Sequence, residues 1–148
     1  SLLTGEPEYL DPLKDEAPNG WRVTGYPWSA IQTPEHKAFV AAYRKAFNDH
    51  PRLGSVVGYS SIKSLAAGMK KAKSTETEKM IAAFSGLQVD TPFGKITYRP
   101  EDHQSTMGGY VGRTKNEGGK GVMVDFRYVD GAKVLPPGAE TKKLRPAD

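Results

Sequence analysis

The chain has 148 residues, 26% of them charged and 9% aromatic, with a mean hydropathy of −0.57; this suits one folded domain and argues against a disordered or membrane-spanning chain. Cysteine is absent, which excludes disulfides, thiol nucleophiles and thiolate metal sites. The net charge of +4 is unevenly spread: acids crowd residues 1–18 and bases crowd residues 36–73, read here as solvated helix faces because no aromatics interleave the bases as a nucleic-acid platform would require.

In chain order, residues 7–16 predict a short acidic helix, with Pro7 in its first turn and Tyr9, Leu10 and Leu13 as its apolar side. Pro18-Asn19-Gly20 breaks it, and residues 21–26 alternate large and polar side chains as a strand does. Thr33-Pro34-Glu35 marks a helix start, after which Phe39, Val40, Tyr43 and Phe47 repeat at helical spacing. A second amphipathic helix is expected over 58–72, burying Tyr59, Ile62, Leu65, Ala66 and Met69, with Gly58 and Gly68 allowing close packing. Thr75 to Glu78 fits a capping box for a third helix, whose Met80, Ile81 and Phe84 face inward. Two short extended runs then flank Thr91-Pro92-Phe93-Gly94, strands follow over 107–114 and 121–128, and the Pro-rich, charged residues 136–148 read as a surface tail. This order is α/β, with fewer strands than a doubly wound sheet needs.

Little in the sequence offers reaction chemistry. His36, in a first helical turn, and His50, at a helix end, read as ordinary surface positions. Asp102-His103 invites a hydrolase reading, but neighbours in one loop rarely face each other, and catalytic sets are usually assembled from distant segments. Gly118-Gly119-Lys120-Gly121 lacks the spacing of a phosphate loop, and no histidine or carboxylate cluster has metal-ligand spacing. No catalytic residue, metal site or cofactor is therefore assigned.

The order of several segments carries more information. Asn19-Gly20-Trp21-Arg22-Val23-Thr24 leads to Tyr26-Pro27-Trp28 and Thr33-Pro34-Glu35-His36-Lys37. Gly58-Tyr59 then opens a helix that ends Lys71-Ala72-Lys73-Ser74, followed by Val89-Asp90-Thr91-Pro92-Phe93-Gly94-Lys95-Ile96-Thr97-Tyr98. Over residues 4 to 130 this arrangement resembles the last part of the periplasmic Leu/Ile/Val-binding family, which also includes amide, urea and aromatic-acid binders. The resemblance implies the C-terminal portion of a two-lobed type I periplasmic-binding-protein clamshell. Residues 1–30 would end lobe two, 31–106 would form part of lobe one, 107–135 would return to lobe two, and 136–148 would be the tail.

The implied function is capture of a small amino acid, amide or aromatic acid for the membrane permease of an ABC importer, without catalysis or cofactor. A ligand-sensing receptor domain of the same fold is the alternative. Further implied are a periplasmic location, an export signal and an N-terminal half upstream, and no nucleic-acid partner. Carried over by position, Glu6 would pair with a ligand ammonium, and Tyr26 and Trp28 would stand at the cleft wall. Gly54 and Ser55 occupy the place where the family has an aromatic, which leaves room for a larger ligand.

Overall fold

The computed structural model describes residues 2–144. The first helix, α1, runs from Pro7 to Leu13, with Glu6 extended at its N-cap and proline at the first position, where a missing N–H costs nothing. A 3-10 turn over Lys14–Glu16 continues it. Only Leu10 of its expected apolar side is buried; Tyr9 and Leu13 face outward. Strand β1 spans Arg22–Gly25, and helix α2 spans Pro34–Phe47 and ends at Asn48 in the left-handed conformation. Phe39 is buried as expected, whereas Phe47 is exposed.

Helix α3, Leu53–Ala72, begins five residues before its expected start and turns the opposite face inward. Its buried residues are Val56, Ser60, Ser64 and Gly68, while Tyr59, Ile62, Leu65 and Met69 are exposed. The reason is proximity. A methyl group on Gly68 would stand 2.6 Å from the Phe84 ring of the next helix, α4, Thr77–Phe84, so only a stripe of small residues lets the two helices meet. Gly58, in contrast, faces open space. No side chain caps α4; Ser74 Oγ accepts from the Glu76 N–H instead, and Ile81 lies outward.

Strands β2 (Gln88–Thr91) and β3 (Gly94–Thr97) form a hairpin, its turn fixed by Thr91 Oγ1, which accepts from Phe93 N–H and donates to Gly94 C=O. Strands β4 (Gly109–Asn116) and β5 (Gly121–Val129) pair antiparallel, with a register shift between Val111 and Arg113, and β1 joins the far side of β4 to give the order β1-β4-β5. The expected surface tail contains a short helix, α5, Gly138–Leu144, whose Thr141 is buried. Arg99 bonds Pro136 C=O and Thr141 Oγ1 and so ties this segment down. Residues 145–148 of that tail lie outside the described residues.

The packing divides the elements into two groups. Helix α1 lies on the β1-β4-β5 sheet, while α2, α3, α4 and the β2-β3 hairpin pack with one another. The chain crosses between the groups through residues 26–33 and again through residues 98–108. At the crossing sits one apolar cluster drawn from both, including Val23, Tyr26, Phe39, Val56, Phe93 and Tyr110.

Candidate functional site

The start of α1 is fixed by a contact between two backbones. Gly5 N–H donates to Thr24 C=O at 3.0 Å and Tyr26 N–H donates to Gly5 C=O at 3.2 Å. A Cβ on Gly25 would lie 2.2 Å from the Gly5 backbone, so glycine is required there. This crossing places Glu6 at the head of α1 and sends Tyr26 into the core.

Glu6 is 7% exposed. Its side chain makes no cap hydrogen bond, and among the described residues no ion pair or other polar partner reaches it. Burial, helped by the nearby Glu8, pushes its carboxyl above the usual range. Partial desolvation thus disfavours the charged form of this carboxyl.

Tyr26 is 1% exposed and part of the crossing core rather than a wall. Its hydroxyl lies 2.7 Å from His36 Nε2, and His36 is itself 1% exposed, contrary to its expected surface position. Residue 36 begins the same i, i+3, i+4, i+7 stripe as Phe39, Val40 and Tyr43, and this was the signal that it points inward. Burial lowers the His36 pKa, with a hydrogen bond to the Ile31 backbone acting the other way. Burial also raises the phenols of Tyr26 and Tyr110, the latter to about 12 with Tyr128 nearby.

Trp28 is half-buried and reaches the surface of the crossing. Its ring stacks on His50 with centroids 4.5 Å apart and planes 11° from parallel. His50 therefore is not a free surface residue: its Nε2 lies 2.9 Å from Asp11 Oδ2, on α1. A cleft of about 610 Å³ opens here, lined by Asp11, Lys14, Trp28, His50 and the hairpin tip at Gly119 to Val122. Gly54 and Ser55 fall in the first turn of α3, close along the chain. Gly54 is open, while Ser55 Oγ accepts from the Arg52 N–H. The structure thus brings Trp28 to the turn that leads into Gly54 and Ser55 and leaves Tyr26 inside the core. Asp11 and His50, which sequence reasoning gave no role in a site, face this cleft from segments 39 residues apart, with Arg52 beside Asp11, and no local motif announces them.

Asp102 is engaged by Arg99 through Nε at 3.1 Å and through Nη2. The His103 ring has no hydrogen bond among the described residues, so the hydrolase pairing finds no support. Among the described residues no group of three or more metal-ligating side chains gathers.

A family model described as periplasmic binding protein matches residues 1–120. Among solved structures, an ABC-type branched-chain amino acid transporter from Rhodopseudomonas palustris CGA009 is 30% identical. It covers 80% of this chain and 33% of its own, with a TM-score of 0.70. A solute binding protein of an ABC transporter from Rhodopseudomonas palustris BisB5, in complex with 3,4-dihydroxy benzoic acid, is 26% identical. It covers 76% of this chain and 31% of its own, at a TM-score of 0.65. The leucine-, isoleucine-, valine-, threonine-, and alanine-binding protein from Brucella ovis shares the fold at 20% identity, with 80% and 33% coverage and a TM-score of 0.66. The chain thus spans about one third of the length of these structures. No curated protein matches it.

Proposed function

The chain belongs to the periplasmic binding protein family, and we propose that it forms part of an extracytoplasmic protein that captures a small amine-bearing organic acid for an ABC importer. Capture is by closure of two lobes, without catalysis. In this reading residues 1–30 and 107–135 belong to one lobe and 31–106 to the other. The observation that carries the reading is Glu6, a residue 7% exposed whose carboxyl has no cation beside it among the described residues. A ligand ammonium would supply that cation, since among the described residues no lysine or arginine pairs with Glu6. In this reading the rest of the ligand would lie towards Trp28 and the head of α3, where Gly54 carries no side chain. The outward apolar residues of α3, Tyr59, Ile62, Leu65 and Met69, are assigned to the part of the family's length that this chain does not span.

A thermal-shift screen of amino acids, amides and aromatic acids on the protein that carries this chain tests the proposal. The best hit is expected to bear an amine, and Glu6→Gln is expected to weaken its binding by about 2–5 kcal/mol, as for one member of a buried charge pair. An amino acid bound equally well by both forms, or hits confined to amine-free acids, would remove Glu6 from the site.

A further inference from the structure

The unequal charge along the sequence has a counterpart in space. Helix α1 belongs to the sheet group, and the turn between α2 and α3 belongs to the helical group; the two meet across the cleft edge. His50 Nε2 lies 2.9 Å from Asp11 Oδ2, and Arg52 Nη2 lies 3.9 Å from the same oxygen. Glu8, one turn earlier on α1, adds its negative potential at Arg52. Behind them Asp49 holds both side chains in place, through Arg52 Nη1 at 2.7 Å and His50 Nδ1 at 3.2 Å, while Trp28 stacks on the imidazole. Four groups from two segments are therefore set in register before any ligand enters. A small domain has no need of such a contact for its own core, which lies at the crossing among Val23, Tyr26, Phe39, Val56, Phe93 and Tyr110.

We propose that Glu8 and Asp11 on α1, facing His50 and Arg52 on the α2–α3 turn, form an electrostatic clasp that favours approach of the two groups and so sets how firmly a captured ligand is held. The clasp deepens the solute-binding reading and rests on it for its purpose, though not for its existence. Its strength suits a reversible contact. The side chains of His50, Asp11 and Arg52 are 23%, 41% and 36% exposed, so the pairs are partly solvated and screened by salt. Such pairs bias an equilibrium roughly two- to five-fold, enough to tune opening without locking it. A fully buried pair in the same place would resist opening altogether.

The test uses the absence of cysteine in this chain. Spin labels are attached at Glu16→Cys, beside α1, and Lys45→Cys, on α2, and the distance between them is measured by pulsed electron paramagnetic resonance without ligand. Asp11→Lys is expected to shift the distribution towards longer distances, and about 1 M salt should act in the same direction on the wild type. Adding Arg52→Glu to Asp11→Lys should restore the short distances, because the pair is remade with exchanged charges. Unchanged distributions in Asp11→Lys and in high salt would overturn the clasp. So would a loss that the exchanged pair fails to rescue while circular dichroism shows a folded protein. With the best hit of the ligand screen, Asp11→Asn should weaken binding roughly two- to five-fold, through faster release. A protein that binds none of the screened compounds, yet shows salt- and charge-dependent distances, would refute the ligand reading and leave the clasp standing.

Discussion

Replacing Tyr26 by phenylalanine removes one hydroxyl from the middle of the core and little else. The ring keeps its volume and its contact with Phe93 at 5.6 Å, so no cavity forms. What is lost is the 2.7 Å hydrogen bond to His36, and with both residues 1% exposed, the stranded Nε2 has no water to turn to. The cost of a buried acceptor left unpaired is about 1–3 kcal/mol. His36→Phe strands the Tyr26 hydroxyl in the same way, and the double variant should cost less than the sum of the two, by about 0.5–3 kcal/mol. The pair also carries a pH signature. Burial lowers His36 below its ordinary 6.5, so the unfolded chain binds a proton that the native ring refuses. Stability is therefore complete above pH 6.5 and falls as pH descends from there towards the lowered native value. The loss deepens as pH falls through the interval between the ordinary and the lowered native value. Urea denaturation at about pH 7.5 and about pH 5.5, on wild type and each variant, measures both effects. The His36→Phe form should lose that increment while Tyr26→Phe retains it. If Tyr26→Phe costs less than about 0.5 kcal/mol, or if His36→Phe leaves the pH dependence as it was, the buried pair is not what holds the crossing together.

Glu6 should show the opposite sign. Its raised native pKa means that the folded chain binds the extra proton just above 4.5, so this residue's contribution is fully present below that value and is lost as pH rises through the native one. Without ligand, Glu6→Gln should therefore raise the denaturation midpoint at neutral pH, and a lowered midpoint would mean that the carboxylate has a cation partner after all. Gly25→Ala should cost about 3 kcal/mol or more, because its methyl would stand 2.2 Å from the Gly5 backbone and neither strand can yield cheaply. A midpoint within error of wild type would show that the backbone crossing adjusts freely.

Helix positions were legible in the sequence because their signals are local. The Thr33-Pro34 start and the hydrophobic spacing that follows sit where α2 begins and continues. Which side of α3 turns inward was not legible, because that depends on a neighbour. The stripe of Tyr59, Ile62, Leu65 and Met69 is the more apolar, and periodicity counts apolarity. The stripe that packs is Val56, Ser60, Ser64 and Gly68, because the Phe84 ring comes close enough to Gly68 to exclude a methyl group. A helix with a small-residue face and a large apolar face can bury either one first, and only the partner decides. Here α4 and the β2-β3 hairpin take the small face, and the large one lies outward.

The candidate site divides along the same line. Glu6 was found by its place relative to a family pattern, and its enclosure follows from the Gly5–Gly25 crossing, itself a consequence of two glycines that a reader of sequence can see but cannot pair. Asp11 was visible as one of the acids of residues 1–18 and His50 as a helix-end residue, and solvated surface positions were the simplest account of both. Coulomb's law gives no preference for contact between charges 39 residues apart until backbone geometry sets the distance. The crossing at residues 26–33 sets it, by turning the chain so that α1 and the α2–α3 turn come to one edge of one cleft. Trp28 lies within that crossing and stacks on the imidazole that completes the contact.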